Sequence, residues 1–118
     1  MQNYKRLEVW QASHLLAVDV YKFTNSFPKD ELYGLTAQIR RSCVSIPSNI
    51  AEGCGREGNT ELGRYLQISL GSANELEYQL LLASELKLLS TKDYETLDNL
   101  VNKVKGMLIS LIQKLNRT

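Results

Sequence analysis

The residues best suited to chemistry in this chain are four arginines. Arg40 and Arg41 stand side by side within a helical pattern, and Arg56 and Arg64 flank the start of a later one. A guanidinium is planar and presents paired donors that match phosphate, so Arg40, Arg41, Arg56 and Arg64 could together contact a nucleic acid or another anion. The same side chains could instead form a solvated face, or pair with carboxylates such as Glu52 and Glu61. The string Gly53-Cys54-Gly55-Arg56-Glu57-Gly58 spells G-x-G-x-x-G. The dinucleotide fingerprint needs a strand before it, and here a helical pattern precedes it. The string therefore reads as a helix stop, a tight turn and a new helix. A weaker anion site survives at the positive end of that new helix, with Arg56 beside it.

Other polar groups point away from catalysis. His14 borders an apolar stripe and has no Cys, Ser or carboxylate constellation, so it reads as structural. Trp10 and Tyr65 read as core or interface anchors rather than stacking platforms. Glu75 and Glu77 are two residues apart and face different sides of a helix. The absence of Glu-x-x-His argues against a di-iron bundle. There is no nucleophile–base pair and no Walker motif, so we expect no catalytic residue, no cofactor and no metal ligand. The two cysteines, Cys43 and Cys54, would lie about 16 Å apart along one helix, too far for a bridge. We expect free thiols in a reducing cytoplasm.

Four segments must position these groups. The first carries Val9, Ser13, Leu16, Val20, Phe23 and Phe27 at alternating spacings of four and three, which predicts a helix from Leu7 to Ser26 that stops before Pro28. Pro28 to Glu31 reads as a turn. The second places Leu35, Ile39, Cys43, Ile46 and Ile50 on one face. Pro47 within it predicts a kink, because it lacks a backbone donor. That helix should end near Gly53 or Gly55. The third has the stripe Leu62, Leu66, Ser69, Ala73, Leu76, Leu80 and Ala83, with Asn59 or Thr60 as its cap. Its small residues, Gly63 and Gly71 among them, predict a close helix–helix approach. The fourth starts after Ser90, a capping residue with Asp93 in the first turn, and carries Leu97, Val101, Val104, Leu108, Leu111 and Leu115.

The expected fold is all-α: one domain, residues 1–118, an antiparallel up-down-up-down four-helix bundle. Net charge is only +1, so any nucleic-acid surface must be a local patch or a patch repeated in an oligomer. No window approaches the length of a membrane span. Leu15, Val18, Leu70, Leu81, Leu100 and Met107 fall off the main stripes; some should widen the core face and the rest should form a subunit interface.

Longer strings carry a resemblance. They are Leu7-Glu8-Val9-Trp10-Gln11, Tyr33-Gly34-Leu35-Thr36 with Gln38-Ile39-Arg40-Arg41, and Val44-Ser45-Ile46-Pro47-Ser48-Asn49-Ile50-Ala51-Glu52-Gly53. Gly55-Arg56, Tyr65-Leu66, Gly71-Ser72 and Glu75-Leu76-Glu77 continue the series. Over nearly the whole chain they resemble the bacterial four-helix-bundle proteins first noticed as products of 23S rRNA intervening sequences. They are more distantly similar to the accessory protein of diversity-generating retroelements. The resemblance implies a homopentamer that engages RNA or another nucleic acid, or a protein partner such as a reverse transcriptase.

Overall fold

A computed structural model describes residues 2–117. Its four long helices are α1 (Glu8–Thr24), α2 (Leu35–Cys54), α3 (Gly58–Glu85) and α4 (Thr91–Asn116). No strand occurs among the described residues. Short 3-10 turns at Tyr4–Arg6 and Lys29–Glu31 precede and follow α1.

Most helix ends have local causes. α1 stops at Thr24, ahead of Pro28, and α2 stops at Cys54 with Gly55 next. Pro47 is buried inside α2 and does not end it. Ser90 Oγ accepts from the Asp93 amide at 3.1 Å, which starts α4 as the sequence suggests. The start of α3 differs from expectation. Glu57 precedes it and Gly58 opens it with a φ of +82°, so neither Asn59 nor Thr60 is the first cap. Glycine adopts that left-handed backbone at no steric cost, and the chain turns into the helix there.

The helices form a ring in which α1 packs on α2 and α4, and α3 packs on the same two. Contacts between α2 and α3 run in opposite directions. Gly53 meets Leu62 and Tyr65, Ser69 Oγ donates to the Ile46 carbonyl at 2.9 Å, and Ser45 and Ser72 share a 2.8 Å hydroxyl bond. The long axis of the molecule is 45 Å against 23 and 20 Å across. Leu16, Ile39, Ile46, Ile50, Leu66, Leu76, Leu97 and Leu108 are fully buried, so all four helices supply one core.

Two details shift from the expected stripes. Thr24 rather than Phe23 is the buried residue in the last turn of α1, and Ile112 rather than Leu111 is buried in α4. A straight helix drifts about 20° per heptad from a strict 3.5-residue repeat, so the fifth core position falls four residues on instead of three. The glycines also divide. A Cβ on Gly53 would sit 2.8 Å from the Tyr65 Cβ, whereas nothing lies within 4 Å of one on Gly63 or Gly71. The close approach within the bundle is thus made by Gly53 and by serines, not by the two α3 glycines.

Candidate nucleic-acid interface

Arg40 and Arg41 are neighbours in sequence but leave α2 about 100° apart, as consecutive helical residues must. Arg40 turns towards the C-terminal end of α1. Its Nε donates to Thr24 Oγ1 at 3.0 Å, and its Nη2 donates to Asn25 Oδ1 at 3.2 Å and the Tyr21 carbonyl at 3.4 Å. The guanidinium also lies 4.6 Å from the Tyr21 ring centroid. A cation at the negative end of a helix is favoured by the aligned peptide dipoles. Arg40 is therefore a clamp between α1 and α2, with Nε and Nη2 already engaged.

Arg56 and Arg64 meet around Tyr65, 5.4 and 4.6 Å from its ring centroid. Each also has its own carboxylate. Arg56 pairs with Glu52 at 3.4 Å, one turn back on α2. Arg64 donates through two nitrogens to Glu61 at 3.2 and 3.3 Å. The hydrogen bond from Arg64, and then its charge, hold the Glu61 carboxyl below its ordinary range. Glu52 and Glu61 are thus committed to Arg56 and Arg64, not to Arg40 or Arg41. Two arginines and two glutamates at this end give no net positive charge. The nearby cleft is small, about 190 Å³.

Arg41 is different. It is exposed on the outer face of α2, and among the described residues its side chain has no hydrogen bond, ion pair or ring contact. It borders a shallow cleft of about 690 Å³ with Tyr21, Leu32, Tyr33 and Val44. A second cleft on its other side includes Gln38, Ser45 and Glu75. Fifteen positions separate Arg41 from Arg56, about 22 Å along a helix axis. Among the described residues the four arginines are therefore one pair around Tyr65, one clamp and one unpartnered side chain rather than a single patch.

Two neighbouring features lie outside the predicted arginine patch, the second of them built partly from Trp10 and Val18. Tyr33, between α1 and α2, is 93% exposed. A groove of about 660 Å³ along α1 and α2 is lined by Trp10, His14, Val18, Tyr21, Val44 and Pro47. In it the His14 ring stacks on Trp10 at 5.1 Å and 3°, and the Tyr4 ring meets Trp10 edge-to-face at 4.9 Å. The four-residue spacing of Trp10 and His14 was the available signal, since such pairs share a helix face.

Residues 5–110 match the 23S rRNA-intervening sequence protein family. The chain belongs to that family. It is similar to a protein of unknown function from the S23 ribosomal protein family of Bacteroides thetaiotaomicron, at 31% identity and a TM-score of 0.80. The likeness covers 88% of this chain and 97% of that one. No curated protein matches the chain. The span shared with the 23S rRNA-intervening sequence family contains all four arginines, Tyr33 and both cysteines. In this family member both thiols are free and buried. Burial pushes Cys43 up to about 12 and raises Cys54 as well, so neither is a ready nucleophile. Among the described residues no group of three or more His, Cys, Asp or Glu is placed to hold a metal ion. Among the described residues no helix is long and apolar enough to cross a membrane.

Proposed function

We propose that this member of the 23S rRNA-intervening sequence family is a non-enzymatic, self-associating protein that binds RNA in the cytoplasm. The observation that carries the reading is Arg41, a guanidinium with all its donors available, beside a cleft whose lining includes no carboxylate. Arg40, Arg56 and Arg64 have partners of their own and play a supporting part. The apolar groove between α1 and α2 supports self-association, because exposed apolar side chains gathered in one place mark contact surfaces. In the pentamer implied by the family resemblance, five copies of Arg41 would repeat around one assembly.

Five phosphate contacts correspond to a log–log salt slope of about −3.5 to −4.5, a loss of roughly 100- to 500-fold between about 50 and 200 mM salt. Filter binding of RNA at those two concentrations tests this. Retention should fall steeply with salt and collapse in Arg41→Ala. No retention at the lower salt, or retention indifferent to Arg41→Ala, would sink the proposal. Native mass spectrometry tests self-association, with Val18→Lys in the groove expected to give monomers.

A second reading, a scaffold for another protein such as a polymerase, is favoured by the same groove. It predicts capture of a partner from nuclease-treated lysate that Val18→Lys abolishes and Arg41→Ala leaves intact.

A further inference from the structure

We propose that the cleft between Tyr33 and Arg41 is a binding site for an unpaired nucleobase and its adjoining phosphate, so that the RNA recognised is single-stranded. The inference rests on the RNA-binding reading above and adds to it the form of the ligand and the residue that reads it.

Tyr33 is the first observation. It is 93% exposed and makes no ring contact among the described residues, so its aromatic face contributes little to the core. Its backbone is nevertheless well held. The Gly34 amide donates to the Glu31 carbonyl at 3.0 Å, and the Leu35 amide donates to Glu31 Oε1 at 3.1 Å. These bonds fix the short segment that carries the ring onto the start of α2. They also turn one oxygen of the Glu31 carboxylate onto the start of α2, and Glu31 does not line the cleft. A rigid backbone bearing a bare aromatic ring is the arrangement that base stacking uses, since every base has a π-face.

Arg41 is the second observation, and it is independent of the first. It borders the same cleft, two turns along α2 from Tyr33, with its donors unengaged. The cleft is shallow and open, about 690 Å³, so it can seat a flat base against the ring without enclosing it. Leu32 and Val44 give it apolar walls, and the Arg40–Tyr21 stack adds a flat cationic side. Its lining has two guanidiniums and no carboxylate, so its charge complements an anion. A fully apolar partner would leave Arg41 unpaired, and an acidic peptide would make no use of the bare ring. A nucleotide uses both. Bases in a duplex are already stacked and paired, so only a strand with splayed bases can place one on Tyr33.

Fluorescence anisotropy with a labelled 12-nucleotide RNA, single-stranded or annealed to its complement, tests the proposal. The single strand should bind at least about tenfold more tightly than the duplex. Tyr33→Ala should weaken single-strand binding by roughly 5- to 150-fold and leave duplex binding unchanged. Tyr33→Phe should bind within about twofold of the parent, because stacking needs the ring and not the hydroxyl. Photocrosslinking with 4-thiouridine should label the peptide containing Tyr33. Equal binding of both forms, or a single strand indifferent to Tyr33→Ala, overturns the inference while leaving RNA binding in place. Failure of either RNA to bind overturns both. A change in oligomer mass in Tyr33→Ala without a change in RNA affinity would show that a second copy covers the cleft, and overturns it too.

Discussion

Replacing Gly53 by alanine sets two effects against each other, and the structure decides which is larger. Gly53 lies within α2, where exchanging glycine for alanine ordinarily stabilises a helix by about 1 kcal/mol. At this position the added Cβ would stand 2.8 Å from the Tyr65 Cβ and 3.1 Å from Leu62 Cδ1. Leucine can change rotamer, but a Cβ is fixed by its backbone, so α2 and α3 must move apart at their shared end. Overpacking of this kind costs about 1–3 kcal/mol. Because the obstruction is rigid, we expect the upper part of that range and a net destabilisation of about 1–2 kcal/mol. For a chain of this size that is a fall in Tm of roughly 3–10 °C. Gly63→Ala and Gly71→Ala are internal controls. Nothing lies within 4 Å of either new Cβ, and each should gain up to about 1 kcal/mol in a protomer. Thermal melts followed by circular dichroism, at one fixed protein concentration because assembly shifts Tm, give all three values. A Gly53→Ala variant at or above the parent Tm would refute the claim that this glycine exists for helix contact.

Three further outcomes are expected. Arg40→Ala should lower stability by roughly 1.5–3 kcal/mol in urea unfolding, because its charged donors hold α1 to α2, while Arg41→Ala should stay within about 0.5 kcal/mol. Ser90→Ala should cost about 1 kcal/mol by loss of the α4 cap, read from the same unfolding curves. The pH dependence has two arms. Cys43 is raised by burial from 9.0 to about 12, so its contribution is intact below pH 9.0 and lost as pH rises towards about 12. Glu77 is lowered by the Lys105 hydrogen bond, so its contribution is present above the ordinary value of 4.5 and lost as pH falls below it. Urea midpoints across that range should show both, and Lys105→Met should flatten the acid arm.

Periodicity made the bundle legible, because burying an apolar stripe is what holds a helix of this length in place. Val9, Leu16, Ile39, Leu66, Leu80 and Val104 all lie in the core where their spacing puts them. The errors are at helix ends. Extending a 3.5-residue repeat selects Phe23 and Leu111, and the true helical period selects Thr24 and Ile112. The arginines were harder for a different reason. Glu52–Arg56 and Glu61–Arg64 are spacings of four and three, readable as local pairs. The partners of Arg40 come from Tyr21, Thr24 and Asn25, up to nineteen positions away on another helix, and only the assembled fold brings them together. Tyr33 carried no periodic signal, since it lies outside every stripe.

The even number of antiparallel helices has a practical consequence. The Gln2 amide donates to the Cys54 carbonyl at 3.0 Å, which places the first described residues beside the α2–α3 turn. The end of α4 returns to the same pole, where Lys114 and Leu111 border Leu7 and Glu8. The Tyr33 segment lies at the opposite pole of a molecule 45 Å long. A tether attached near either end of the chain would hold the protein by its Arg56–Arg64 pole and present Tyr33 outwards. Immobilised in that orientation, it would meet a ligand in solution with its free arginine and bare ring foremost.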